Sequence, residues 1–349
     1  MNCIIDLGHS GHHIEWVSYF INSEIHVYTS MMNKSILEKY SPTNVTYVKE
    51  NINEEEFLRE YKEELEQYTS IIFLNLDLVF SYLLRSAINP LPFNLVQKKI
   101  KGLWLRNNFY YNRFTLIGRI KFWIMILIIA IWKQRSKRFS IYFLNEQVTN
   151  SIQSYLGSDA VRFSVDPVDL DKLDQEPETE PGTILLFGSH DPRKGTDVAL
   201  AELAKIRYPG KVIIGGSITN MPKLKQQLTQ LDEELDIEKF LGYVSEKVMH
   251  RIFKRSEIIL LPYVGFGGSS GVLSWGIAYN KTVIGSNFGL IGKRLREYEK
   301  GFTFDKINDL SISLAQHNTI SSGRLNSIEM ISKYHSKAEF IKQFLYEDK

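Results

Sequence analysis

The feature that most constrains this chain is a repeated local pattern. A short, almost wholly apolar run stops at a glycine or a polar loop and opens into a segment with helical spacing. CIIDL ends at Gly8 and leads through HSGHH into IEWVSYFI; SIIFLNLD, TILLFGS, KVIIGGS, EIILLPY and KTVIGS repeat the arrangement. A run that is apolar at successive positions suits a strand covered on both faces. Such strands alternating with helices build a parallel sheet with helices on either side. EIHVYTS and NVTYVKE read as further strands, and NINEEEFLREYKEELEQY as a helix with Asn53 at its N-cap and acids in its first turn.

The 349 residues leave room for two domains with separate cores. The pattern breaks at residues 166–182, DPVDLDKLDQEPETEPG, where seven acids and three prolines make a poor helix or strand. This stretch is expected to be an acidic linker. It divides an N-terminal domain, 1–165, from a second one, 183–330, with a final helix in 331–349. Helices are expected near 148–156, 196–206, 221–232, 246–254 and 271–279.

Net charge is only +2, but it is unevenly spread. Between Asp77 and Glu146 there is no acid and there are twelve cations, which leaves the rest of the chain at −10. A basic block of this kind points to an anionic partner. Within it, FWIMILIIAIW (122–132) is eleven uncharged residues flanked by Lys121 and Lys133, with Trp123 and Trp132 near its ends. A spanning helix needs about 20 apolar residues. The run instead suits docking on an anionic lipid surface, as part of an insert at about 85–138 whose basic part is 98–138. No nucleic-acid motif accompanies the cations, so nucleic acid is not expected as a partner. The single cysteine, Cys3, rules out an internal disulfide. The opening residues lack the basic and long apolar regions of a signal peptide, and a cytoplasmic location is expected.

The most chemically suggestive stretch is LLFGSHDPRKGTDVALAEL, 185–203, in which Arg193 and Lys194 fall where a helix begins. Cations there oppose the helix dipole; a bound anion would offset that. A second stretch, GFGGSSG (265–271), stands directly before an apolar helix. Small residues let the backbone come close to a ligand, and N–H groups at a helix start suit phosphate.

FGSHDPRKG, VIIGG, FLGYVS and IILLPYVGFGGSSGVLSWGIAYNKTVIGS occur in this order, and together they resemble the donor-binding domain of the GT-B glycosyltransferases, particularly retaining family 4. The likeness is good over roughly 184–300. It is looser in the first half, where GHSGHH resembles that family's acceptor-side glycine loop. The resemblance implies an α/β protein of two Rossmann-like domains facing each other across a cleft. It implies transfer of a sugar from a nucleotide-sugar, a substrate rather than a cofactor, to a glycan or lipid-linked glycan in bacterial surface polysaccharide synthesis. The protein would be peripheral on the inner face of the membrane and would use no metal. The donor diphosphate would be held by Arg193, Lys194, Gly268, Ser269, Ser270 and Gly271, and the nucleotide base by Gly242, Tyr243 and Val244. The final helix would cross back to the first domain. The acceptor loop would be Gly11, His12 and His13, with His13 or Asp77 as candidate base. Packing or capping is the alternative role for the histidines.

Two positions depart from that family. Its pair of glutamates, eight residues apart around the glycine stretch, falls on Gly267 and Trp275. This leaves the stereochemical outcome open and raises a second reading: a GT-B-shaped binding or scaffold subunit with no activity of its own.

Overall fold

The computed structural model describes residues 1–8, 12–50, 52–77, 79, 98–105, 110, 115–135, 139–157, 160–172, 178–219, 221–231, 234–317 and 324–345. The chain divides into two compact units. One is Met1–Val165 with Ala338–Lys349, and the other is Asp166–Lys337.

The first unit is built on seven parallel strands: β1 (Asn2–Asp6), β2 (His26–Ser30), β3 (Val45–Val48), β4 (Ser70–Phe73), β5 (Lys99–Trp104), β6 (Phe139–Phe143) and β7 (Val161–Phe163), in the spatial order β3-β2-β1-β4-β5-β6-β7. Successive residues of a strand point to opposite faces. Cys3, Ile5, Ile71 and Phe73 accordingly enter one apolar cluster, while Ile4, Ile72 and Leu74 enter another. Both faces are covered, which is why β1 and β4 carry unbroken apolar runs. The helix Glu54–Glu60 starts as expected, with the Asn53 side chain accepting from Glu56 N at 2.9 Å.

The last helix, Lys337–Leu345, completes this unit. Phe340 packs on Trp16 with ring centroids 5.5 Å apart, and Phe344 on Tyr142 at 4.8 Å. Lys101, buried in the middle of β5, donates to the Gln343 and Phe344 carbonyls at 3.2 and 3.0 Å. Those carbonyls belong to the last turn, which has no intrahelical donors of its own and lies at the negative end of the dipole.

The second unit has six parallel strands: β8 (Ile184–Phe187), β9 (Lys211–Gly216), β10 (Asp236–Leu241), β11 (Ile258–Leu261), β12 (Thr282–Ser286) and β13 (Gly301–Phe304), ordered β10-β9-β8-β11-β12-β13. Apart from the extra edge strand β7, the two sheets share one order. In each, the order reverses between the first and fourth strands, at β1/β4 and at β8/β11. Loops leaving the carboxyl ends of such a pair form the ligand crevice of open α/β sheets.

The segment expected as a linker is folded into the second unit over its described residues. Asp166 N donates to the Tyr334 carbonyl and Val168 N to the His335 carbonyl, both at 2.9 Å. Buried Asp169 pairs with Lys337 at 2.7 Å. Acidic composition signals a linker only while the acids remain solvated; here two of them, Asp166 and Asp169, are buried beside the segment 334–337.

Candidate functional site

Arg193 and Lys194 precede the helix proper. Pro192–Lys194 is a single 3₁₀ turn capped by the Asp191 side chain, and Gly195 separates it from the helix Thr196–Lys205. Gly195 has φ +61°, and a Cβ there would lie 2.1 Å from the Pro262 carbonyl oxygen. The glycine thus lets the loop after β8 lie flat against the loop after β11. Val264 N donates to the Arg193 carbonyl at 2.8 Å and holds the two together.

The two cations differ. Arg193 forks onto its neighbour Asp191, with Nε to Oδ1 at 3.1 Å and Nη2 to Oδ2 at 2.7 Å. The Lys194 ammonium instead lies 3.7 Å from the Tyr263 ring centroid and 5.6 Å from that of Phe266. An aromatic face restrains a cation without neutralising it. Arg193 therefore carries its own counter-ion, whereas Lys194 is held among aromatic rings of the facing loop.

His190 anchors the same loop from below. It is buried, with Nδ1 2.8 Å from the Thr196 hydroxyl and Nε2 3.1 Å from the Gly215 carbonyl. A carbonyl only accepts, so Nε2 carries the proton and Nδ1 accepts from Thr196. Burial, with Lys194 nearby, lowers the pKa of this ring and keeps it neutral.

In the facing loop, Gly267 and Gly268 are buried. The Ser270 hydroxyl shares a 3.0 Å hydrogen bond with the Tyr263 hydroxyl. The Ser269 hydroxyl donates to the buried Asp166 carboxylate, to which Ser274 also donates at 3.4 Å. Both hydroxyls expected to face a ligand are thus engaged within the protein. The consequence appears at the helix Gly271–Ala278. Ser270 is its N-cap residue, but its side chain caps no N–H. First-turn N–H groups have no intrahelical acceptor, so those of Gly271, Val272 and Leu273 remain for an anion. The arrangement can hold a phosphate by main-chain dipoles and one ammonium.

The base-side residues follow β10. Gly242, φ +97°, donates through its N–H to the Gly216 carbonyl at 3.0 Å, and Tyr243 is 74% exposed. At the two glutamate positions, the Gly267 carbonyl accepts from Leu290 N at 3.3 Å, and Trp275 is buried edge-to-face on His250 at 5.0 Å. Neither position offers a carboxylate.

In the first unit, Gly11 lies outside the described residues, and His12 and His13 open the helix His12–Ser18. Asp77, near the end of β4, accepts from Leu105 N at 3.1 Å and so braces the end of β5. The residues that sequence reading missed are Asp166, His190, Tyr263 and Phe266. The aromatic spacing of PYVGF, three apart around a turn, was the available signal for the last two; nothing local marked Asp166.

The apolar run 122–132 lies in the helix Leu116–Arg135. Phe122, Met125, Ile126, Ile128, Ile129 and Trp132 enter the core. Leu116, Ile117, Ile120, Trp123, Ile124 and Leu127 form an exposed stripe, from 41% at Ile124 to 75% at Leu116, with exposed Arg119 and Lys121 beside it. The basic block is not all surface: Lys101 is buried, and Lys98 donates to the Glu66 and Tyr68 carbonyls at 2.6 Å each. Among the described residues no helix is long and apolar enough to cross a membrane.

Among solved structures, the chain is similar to Anabaena Alr3699/HepE in complex with UDP and glucose (TM-score 0.70, 12% identity, 98% of this chain and 97% of that one). It is also similar to a glycosyltransferase from Rickettsia africae (0.69, 14%, 99% and 96%) and to apo WaaB, a lipopolysaccharide outer core galactosyltransferase (0.61, 13%, 98% and 98%). The chain has the GT-B fold. Two parallel-sheet units of Rossmann type, matched over nearly the whole length of these glycosyltransferases, carry that assignment. No family model matches the sequence, and no curated protein matches it.

Proposed function

We propose that this GT-B protein is a glycosyltransferase that takes its sugar from a nucleotide donor. The observation that carries the reading is the docking of the loop 188–195 onto the loop 262–271. It sets Lys194 and the uncapped N–H groups of Gly271, Val272 and Leu273 on neighbouring strand ends. A donor diphosphate is the anion that such a cradle suits. As the sugar–phosphate bond breaks, charge grows on the leaving diphosphate, and fixed dipoles with a restrained ammonium stabilise it there. No metal is needed for that charge. Lys194, Gly268, Ser269, Ser270 and Gly271 hold the diphosphate, the three loop residues before Gly271 through the main chain. Arg193 contributes through its structural pairing with Asp191, and Gly242, Tyr243 and Val244 meet the base.

The first unit takes the acceptor through Gly11, His12 and His13, with His13 as the candidate base and Asp77 as a loop brace. The acceptor is a glycan or lipid-linked glycan of bacterial surface polysaccharide. The likeness to WaaB, and an exposed apolar stripe beside cations in a region without acids, support an enzyme peripheral on the inner face of the membrane.

The test is a thermal-shift and hydrolysis screen against UDP-, GDP-, TDP- and ADP-sugars with Lys194→Ala alongside. Stabilisation by one donor with slow release of its nucleotide, both lost in the variant, is expected. Gly267 and Trp275, in place of the glutamate pair, favour the second reading of an inactive scaffold subunit. In that case no donor turns over.

A further inference from the structure

Asp166 is the first residue of the second unit, and it is buried. Its carboxylate accepts from Ser269 in the phosphate loop and from Ser274 one turn into the following helix. Its main chain is bonded on both sides to the segment that leaves the unit. Asp166 N donates to Tyr334, and its carbonyl accepts from His335 Nδ1 at 2.8 Å. The turn 268–271 is therefore tied through one side chain to the points where the chain enters and leaves this unit.

That tie decides what the loop can offer. A serine hydroxyl next to a helix start ordinarily caps an N–H of the first turn. Here Ser269 is drawn onto Asp166 and Ser270 onto Tyr263, and the cap is left unmade. Resting on the donor reading above, we propose that Asp166 is a positioning residue for donor binding: by holding Ser269 away from the helix start, it keeps the N–H groups of 269–271 and of the first turn open to the diphosphate.

The experiment is calorimetric titration of the whole chain with UDP, repeated with the other nucleoside diphosphates. Wild type is compared with Asp166→Asn, Ser269→Ala, Ser269→Thr and the Asp166→Asn/Ser269→Ala pair. Each of the first two single variants is expected to weaken binding about five- to tenfold, the net size of one ordinary intramolecular hydrogen bond. The double variant is expected to be no weaker than either, since both cut one contact. Ser269→Thr retains the hydroxyl and restores binding. Partly exposed Ser269 gives a second route if the buried substitution impairs folding. Wild-type affinity in both single variants, or losses that multiply in the double variant, overturns the inference while leaving the donor site standing. If the wild type binds no nucleotide, the donor reading fails and takes this inference with it.

Discussion

The carboxyl ends of the two sheets are braced by different means. After β8 and β11 the loops are pressed together main chain to main chain. Gly195 lies against Pro262, Gly216 against Gly188, and Gly289 against Gly267. Ser269 and Ser270 turn inward onto Asp166 and Tyr263. After β1 and β4 the bracing runs from side chain to main chain. Asp6 accepts from Gly8 N at 3.0 Å, Asn33 donates to the Gly8 carbonyl at 2.8 Å, and Asp77 accepts from Leu105 N. One strand order therefore carries loops packed main chain to main chain in one unit and a side-chain-braced platform in the other. The topology sets where loops stand, and the loop residues set what they can hold. The outer surfaces diverge too. The first unit bears the apolar stripe, whereas the second bears Arg255 forked onto Glu180 and Glu238, whose carboxyls it holds below their ordinary values.

The contrast can be tested, starting from the largest effect. Lys194→Ala should reduce donor turnover about 100-fold or more, as loss of a transition-state charge donor does, with little change in melting temperature. Substituting the candidate base, His13→Ala, should slow transfer to acceptor but leave donor-induced stabilisation intact. Gly195→Ala should cost about 2–4 kcal/mol in denaturant unfolding, because both a left-handed backbone and the Pro262 carbonyl oppose a methyl group. In the other sheet, a methyl on Gly102 meets only the movable Leu76 side chain, and Gly102→Ala should cost about 1 kcal/mol. Equal costs would remove the distinction between main-chain and side-chain bracing.

Ile120→Asp should weaken sedimentation with anionic vesicles roughly tenfold, the worth of one buried aliphatic side chain, without shifting the melt. A pH scan gives a smaller signal. His190 has a lowered folded pKa, so its contribution is present above the ordinary histidine value of 6.5 and is lost as pH falls towards the folded value. The melting temperature should drop from pH 7 to 5.5, and less so in His190→Gln. The smallest effect should come from EDTA, which should leave turnover unchanged.

Much of the architecture was legible because strands buried on both faces cannot be disguised. CIIDL, SIIF and ILLF announce a covered parallel sheet, and Gly8 and Gly188 mark where two of them end. The two loops proposed to hold a diphosphate stand out in the sequence as residue types in a recognisable order. The roles of individual side chains were not. Arg193 and Lys194 are adjacent in sequence, but only the folded chain gives one of them Asp191 and the other Tyr263. Ser269 reads as a ligand contact until Asp166, 103 positions away, claims its hydroxyl. The composition of the run 122–132 describes a buried helix and a half-exposed one alike, and the difference lies in which residues meet the core.

The return of the helix Lys337–Leu345 to the first unit imposes an order on biosynthesis. The first sheet emerges from the ribosome early, but the partners of Trp16, Tyr142 and Lys101 emerge only after all of Asp166–Lys337. At ordinary elongation rates that delay is roughly 10–30 s. Over that interval a nascent chain holds a buried lysine without its carbonyls and an aromatic pocket without its phenylalanines. The second unit can close around its core in the meantime, and the unit made first is finished last.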